Sequence, residues 1–330
     1  MSGRAPGTTR VSARTIQIGL GIIWLLDGLL QLQPRMFGPD FANHVILPTA
    51  QGQPDLVSST ITHMAHLITL QPALTDTVFA AVQILIGMGL LFRETVRPAL
   101  VLSFVWALGV WALGEGFGML LTGMASPLTG APGGALLYVV VGLLVWPRRP
   151  RTVPAPVVAG PATAEGPLGA RGGQAVWAIV WGAMGILWLL PANRAGGMIS
   201  GAISGGVTGE PGWLAHVQLS VAHAFGNGGG SVAVACAVLS FVIGLGPLVS
   251  RHTTVFLVAG AALALDYWMF GEAFGQLFSG IATDPNSGPL LVLLALALYP
   301  NRAAALSVAD PGRTRTASGA APSVALSIAT

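Results

Sequence analysis

The sequence predicts an all-α membrane protein, with eight transmembrane helices arranged as two parallel four-helix repeats related by a pseudo-two-fold axis along the membrane normal. Three observations predict it. First, hydrophobic residues make up 53% of the 330 positions and charged residues only 8%. Soluble domains carry about 25% charged residues, so a compact soluble protein of this size cannot cover its surface with so few. Second, apolar segments recur at about 15–32, 74–92, 98–120, 133–147, 174–191, 231–249, 253–276 and 288–300. Most approach the roughly 20 residues a helix needs to cross a hydrocarbon core. Third, the two halves repeat one another. GEGFGMLLTGMA at 114–125 matches GEAFGQLFSGIA at 271–282 with seven identities in twelve, an offset of 157 residues.

The elements follow in order. Residues 1–14 form a basic leader with Arg4, Arg10 and Arg14. It starts like a signal peptide, but the apolar stretch after it is long, contains Asp27 and lacks a small-x-small cleavage site, so it reads as an uncleaved first span. Residues 15–149 form the first four-helix repeat and 174–302 the second. Between them, 150–173 is rich in Pro, Ala and Gly without an apolar period and reads as a flexible cytoplasmic linker. The tail 303–330 has the same character and reads as disordered.

Within the repeats, the 157-residue offset pairs Gly52 and Pro54 with Gly209 and Pro211, His66 with His223, and Glu115 with Glu272. The first spans align through Trp24-Leu25-Leu26 and Trp188-Leu189-Leu190. Four spans per repeat is an even number, so both insert in the same direction.

All fifteen basic residues are arginine. With both termini cytoplasmic, Arg4, Arg10, Arg14, Arg93, Arg97, Arg148, Arg149, Arg151, Arg171, Arg251, Arg302, Arg313 and Arg315 lie inside, and only Arg35 and Arg194 lie outside. That bias predicts a multi-pass protein of the cytoplasmic membrane. The arginines are scattered near span ends and form no folded basic face, which excludes a nucleic-acid role. Cys236 is the only cysteine, which excludes intramolecular disulfides and Cys-based zinc or iron–sulfur sites.

The segment VQILIGMGLLFRETVRPALVLSFVWAL (82–108), an apolar helix, a tight Arg-bearing turn and another apolar helix, resembles the second and third helices of DoxX-like membrane proteins. IGLGIIWLLDGLLQL (18–32) resembles their first helix. The resemblance covers about half of each repeat. It implies a four-helix membrane module, here duplicated, of a kind associated with membrane oxidoreductase complexes and quinone-linked sulfur oxidation. The long insertions at 33–73 and 192–230, and Gln83 where the family often has an acid, depart from the pattern.

Candidate chemistry gathers on the outer side. Glu115 lies eighteen residues past Arg97, about 27 Å along a helix and near the outer boundary; Glu272 is its equivalent. Asp27 and Asp266 also fall at membrane depth, where ionisable groups should face the bundle interior or a wet cavity. Each Glu sits in a G-E-x-F-G frame, Gly114/Gly118 and Gly271/Gly275. That is the GxxxG spacing of closely packed helices, so each Glu either hydrogen-bonds a neighbouring loop or serves binding and proton exchange. Arg35 and Arg194 each follow the first span of a repeat and are placed to pair with Glu115 or Glu272. The fourth and eighth spans are too short to cross, and the loops before them are rich in Gly, Pro and Ser. Such loops are tolerated at depth only when buried in protein or lining a watery cavity, which predicts an outer-facing cavity in each half.

His63 and His66 stand three apart, and His216 and His223 seven apart, spacings that share a helical face. Neutral imidazoles there suit a transition metal, a haem or a proton relay. Only the His66/His223 pair is repeated, which favours histidines on interfacial helices. No Ser/His/Asp or Cys/His arrangement is evident, so no catalytic residue is named. Three functional readings follow: a non-catalytic subunit or scaffold docking other membrane proteins; a small-molecule, proton or metal-ion binding or transport protein using Glu115 and Glu272; and a quinone-linked redox subunit with metal or haem at His66 and His223.

Overall fold

The computed structural model describes residues 11–148 and 160–301. The expected tail, residues 1–10 of the leader and the first part of the linker lie outside the described residues. The described chain is helical, with no strand among the described residues. Helix α1 spans Ala13–Gln31. Ser12 caps it: its Oγ accepts from Thr15 N at 3.1 Å, and Thr15 Oγ1 accepts from Ser12 N at 3.3 Å. Helix α2 (Asp55–Leu70) follows Gly52-Gln53-Pro54, and α3 (Pro72–Leu91) starts on a proline whose missing N–H has no partner to lose there. Helices α4 (Val96–Leu113) and α5 (Gly134–Leu144) complete the first set. The second set is α6 (Gly169–Trp188), α7 (Met198–Gly206), α8 (Gly212–Phe225), α9 (Gly229–Val249), α10 (Thr253–Asp266) and α11 (Ser287–Leu298).

Among the described residues, five helical segments are long and apolar enough to cross a membrane: α1, α3, α4, α9, and α10 with its continuation to Gly271. Helix α6 is equally long but carries Arg171 and several glycines, and it falls outside that group. Helices α5 and α11 are apolar but only 11 and 12 residues long, about 17–18 Å, as their short sequence segments predict. Large apolar residues such as Ile22, Leu85, Val105, Ile179, Val238 and Val255 point outward and are exposed. An apolar belt of that extent is what a lipid-facing surface requires.

Helices α1 and α3, and likewise α6 and α9, pack antiparallel, which gives the bundle two ends. The basal end holds the start of α1 and α6; the apical end holds α2, α7, α8 and the long loops. Among the described arginines, Arg14, Arg93, Arg97, Arg148, Arg171 and Arg251 lie basally, and Arg35 and Arg194 apically. Several basal arginines close helix ends: Arg14 donates to the Leu90 and Leu91 carbonyls at the end of α3, and Arg97 to Pro147 O at 3.1 Å.

Glycines set the helix contacts. A Cβ on Gly28 would lie 2.6 Å from Ile84 Cγ1, and one on Gly87 would lie 2.8 Å from Gly21 O. The second set repeats these contacts 157 residues on: Gly185 meets Phe241 at 2.9 Å, and Gly244 meets Ala178 O at 3.3 Å. Trp24 therefore corresponds to Trp181. The Trp24–Trp188 alignment expected from sequence is out of step by seven residues, because the Trp-Leu-Leu triplets match by composition and not by the face they present.

Residues 160–168, expected within the flexible linker, are packed. Ala162 and Thr163 are fully buried, Asn301 Nδ2 donates to Gly160 O at 2.8 Å, and Glu165 Oε2 accepts from Ala13 N at 3.1 Å. Pro161 and Gly166 allow this turn to tuck beneath α1 and α11, and α6 starts at Gly169 instead of 174.

Overpacking should separate the two kinds of glycine. Gly87→Leu forces side chain into the α1–α3 contact and should cost about 1–3 kcal/mol. Gly109→Leu, where an added Cβ meets nothing within 4 Å, should leave the unfolding midpoint in mild detergent unchanged. Equal midpoints for both variants would refute this packing.

Candidate functional site

The site is built around Glu115 and Glu272. After α4 the backbone enters a left-handed turn: Gly116, Phe117, Gly118 and Met119 have φ of 53°, 58°, 61° and 59°. Ala273, Phe274, Gly275 and Gln276 do the same at 48°, 54°, 69° and 53°. Left-handed conformation costs a non-glycine residue roughly 1–2 kcal/mol, and five of these eight residues are not glycine. Strain of this kind persists only where surrounding contacts over-determine it. Those contacts are visible. Trp111 stacks edge-on against Phe117 at 5.1 Å and donates to Pro132 O at 2.8 Å. Trp268 stacks against Phe274 at 4.8 Å and donates to Pro285 O at 2.7 Å.

The turn aims each Glu at the first residues of a short helix. Glu115 Oε1 accepts from Ala135 N at 2.9 Å. Glu272 accepts from Ser287 N at 3.0 Å, from Gly288 N at 3.2 Å and from the Ser287 hydroxyl. A carboxylate there satisfies N–H groups that a helix cannot satisfy itself. Of the two sequence readings, bonding to a neighbouring loop and helix start describes what these side chains do.

The GxxxG reading of Gly114/Gly118 and Gly271/Gly275 is corrected. Gly118 and Gly275 lie in the left-handed turns and not on a helix face; a Cβ on Gly118 would sit 2.1 Å from Pro132 O. The glycines are required by backbone handedness and by the incoming loop.

The loops of the two sets also lock across the middle. Gln33 Nε2 donates to Leu30 O at 2.8 Å and to Ala282 O at 3.0 Å. Asn193 Nδ2 donates to Leu187 O at 2.7 Å and to Ala125 O at 2.8 Å. The acceptors are again 157 apart, and each amide comes from the opposite set.

Two adjacent cavities with shared wall residues lie at the apical end. The first, about 390 Å³, lies inside the first set and is lined by Trp24, Asp27, Gln31, Phe41, Phe79, Gln83, Trp106, Glu115, Tyr138 and Asp284, among others. The second, about 490 Å³, lies between the sets and touches both Glu115 and Glu272, with Gly118, Gly275, His44 and Asp284. Glu115, Thr283 and Asp284 border both. The expectation is one cavity per half; of these two, one lies at the first set and one between the sets. In the second half, Trp188 and Tyr267 stand where Gln31 and Val110 line the first cavity. Both are buried, and Trp188 Nε1 donates to the Tyr267 hydroxyl at 2.9 Å.

Asp27 is 1% exposed and accepts from the Tyr138 hydroxyl at 2.5 Å through one oxygen. Its other oxygen has no partner, nor do Gln31 Oε1, Gln83 Oε1, Glu115 Oε2 and Trp106 Nε1. All five atoms belong to residues of the first cavity. Asp76, on α3 nearby, is fully buried with both oxygens unpartnered. The sequence singles out Asp27 and marks Gln83 as a departure from the DoxX-like pattern, whereas it does not single out Tyr138 or Gln31. The 157-residue offset sets Gln31 and Gln83 against Trp188 and Ser240.

The remaining candidates are placed as follows. Asp266 is exposed on the outer face of α10, contrary to its expected inward position, because the helix loosens into a wider turn over Tyr267–Gly271 that directs Tyr267 inward instead. Arg35 pairs with Asp40 at 2.8 Å and donates to Ser279 O at 3.0 Å, not to a Glu. Arg194 is exposed, and neither Glu has an arginine partner among the described residues. His63 and His66 are exposed on α2, and His216 and His223 on α8. Among the described residues, no three His, Cys, Asp or Glu side chains gather as a metal-binding group.

Burial sets the acid–base behaviour of the loop acids. It pushes the Glu272 carboxyl from its ordinary 4.5 to about 8, opposed by the Ser287 and Gly288 hydrogen bonds. Glu115 rises to about 8 through burial, helped by the negative charge of Asp284 and opposed by the Ala135 N–H. Asp284 is raised by burial as well. The chain matches no family model, no curated protein and no solved structure.

A carboxyl whose pKa is higher in the folded state binds its proton more tightly there, so its contribution is complete below about 4.5 and is lost as pH rises through about 8. The unfolding midpoint should therefore fall between pH 5 and pH 8.5, and Glu115→Gln/Glu272→Gln should flatten that slope. Melting curves across this range decide it; an unchanged slope in the double variant would assign the dependence elsewhere.

Proposed function

We propose that the chain is an eight-helix membrane protein of two DoxX-like modules in tandem, with the short α5 and α11 at its centre, and that its first module binds a small molecule next to Asp27. The contacts recurring 157 residues apart support the tandem reading. The segregation of described arginines to the basal end supports a cytoplasmic basal side in the cytoplasmic membrane.

One observation carries the binding reading: the unpartnered polar atoms around the first cavity. A buried polar atom left without a partner costs about 1–3 kcal/mol, and native structures hold few of them. Here five belong to residues that wall one space of about 390 Å³, within the size range of small-molecule sites. A ligand supplying hydrogen-bond donors satisfies the four acceptors among them, Asp27 Oδ1, Gln31 Oε1, Gln83 Oε1 and Glu115 Oε2. Asp27, held by Tyr138, is the anchor. Glu115 and Asp284, which border both cavities, connect it to the apical surface for proton exchange. This favours the binding or transport reading over the scaffold. A redox centre at His66 and His223 has less support, since both imidazoles are exposed on separate helices.

Ligand-linked stabilisation tests the reading. The full chain in lipid nanodiscs should gain unfolding temperature with one class in a panel of primary amines, phenols and alcohols, by about 2.7 kcal/mol at a hundred-fold excess over Kd. Asp27→Asn should abolish the gain while Glu272→Gln preserves it. A panel without any Asp27-dependent shift would refute the site.

A further inference from the structure

The first cavity has two mouths of opposite character. The axial one lies at Gly114, Glu115 and Asp284, which also line the polar second cavity. The other opens sideways. Of the α4 residues lining the cavity, Val105 is 67% exposed and Gly109 is exposed, so they face both the cavity and the outside. Across the gap stands Leu67 of α2, also exposed. Helix α2 packs only lightly on α4, which leaves this flank uncovered.

Depth decides what that mouth meets. Gly109 and Val105 lie four and eight residues before the end of α4 at Leu113, about 6 and 12 Å below the apical end of a spanning helix. A mouth at that level opens into hydrocarbon. It is walled by Leu67, Val105 and Gly109, with no polar side chain among them, so water has no reason to use it and an alkyl chain does.

The polar end of the cavity specifies the head group. Three carboxyl groups border it, from Asp27, Glu115 and Asp284, and no Arg, Lys or His lines it. Four of its five unpartnered atoms are acceptors: Asp27 Oδ1, Gln31 Oε1, Gln83 Oε1 and Glu115 Oε2. The walls are aromatic, with Trp24 against Tyr138 at 4.3 Å and Phe79 against Trp106 at 5.1 Å. Acceptors, carboxyl groups that can ionise against a bound positive charge, and aromatic faces together suit a compact cation. An ammonium has three donors and no acceptor, which matches the acceptor-rich side of the site.

Resting on the binding reading above, we propose that the ligand is a membrane-dissolved alkylamine-type amphiphile. It enters sideways from the bilayer between α2 and α4, its ammonium against Asp27 and its chain trailing through the lateral mouth. The second module does not share this role, because Trp188 and Tyr267 occupy the corresponding space.

The test uses the full chain in nanodiscs and a dodecylamine carrying a mid-chain diazirine, with crosslinked peptides mapped by mass spectrometry. Labelling should fall on the α2 and α4 segments flanking Leu67 and Gly109 and should be lost in Asp27→Asn. Unlabelled dodecylamine should compete at concentrations at least ten-fold below those of dodecanol or butylamine. Gly109→Trp, at a position where an added Cβ meets nothing, should slow labelling at least ten-fold. Val105→Trp, a second plug at an exposed position, should do the same if the first variant folds poorly. Competition by butylamine as strong as by dodecylamine, or unchanged rates in both plugged variants, would overturn sideways access while leaving the Asp27 site standing. Equal competition by dodecanol would overturn the cationic head. Absence of any Asp27-dependent labelling of this flank overturns the amine proposal; joined to a panel without an Asp27-dependent shift, it removes the site as well.

Discussion

A carboxylate that closes the N-terminus of a half-length helix is the interaction on which the apical architecture depends. Helices α5 and α11 are too short to reach the apical end, so their first N–H groups lie deep in the protein, away from bulk water. Glu115 and Glu272 meet them there. To place those carboxylates the chain must reverse tightly after α4 and α10, which it does through four successive left-handed residues in each case. The strain is offset by the Trp–Phe pairs, the indole bonds to Pro132 and Pro285, and the amide bridges from Gln33 and Asn193 that tie each loop to the opposite set. Removing the acid would orphan the helix start, and without the short helix the cavities have no floor.

Contacts recur 157 residues apart, but the two sets are filled differently. At that offset Met184, Trp188 and Ser240 stand against Asp27, Gln31 and Gln83. These exchanges turn a packed core into a hollow lined with polar atoms. Trp188 and Tyr267 satisfy each other and pack at a ring separation of 5.8 Å. Asp27 and Tyr138 also bond, yet they leave one carboxylate oxygen buried without a partner, on a residue that lines the first cavity.

The sequence made the helix positions legible because apolar length is a one-dimensional signal. Segments at 74–92, 98–120 and 231–249 become α3, α4 and α9 with boundary shifts at their ends. The G-E-x-F-G match identified both capping acids, and the shortness of the fourth and eighth segments pointed to the cavities. What escaped needed three-dimensional information. A GxxxG spacing describes a helix face only if the backbone is right-handed, and here it is left-handed. Residues 160–168 look like linker by composition, yet small residues are what a turn needs to fit beneath two helices. Asp266 carries a helix-depth signal but no directional one, and the widened turn after it sends Tyr267 inward in its place.

Two kinds of buried acid coexist within one apical region, and their difference shows how the site can respond to protons without losing its fold. Glu272 has its oxygens committed to Ser287 and Gly288, so a proton gained or lost there changes stability. Asp27 has one oxygen committed to Tyr138 and the other free, so orientation is fixed while one acceptor stays available. Glu115 stands between them: Oε1 holds the α5 start and Oε2 borders both cavities. With its pKa near 8, its charge changes close to neutral pH. On the proposed binding reading, a cation held at Asp27 would lower the cost of ionising Glu115, and a proton leaving Glu115 would strengthen the field that holds the cation. One side chain, whose residue borders both cavities, would link the two events.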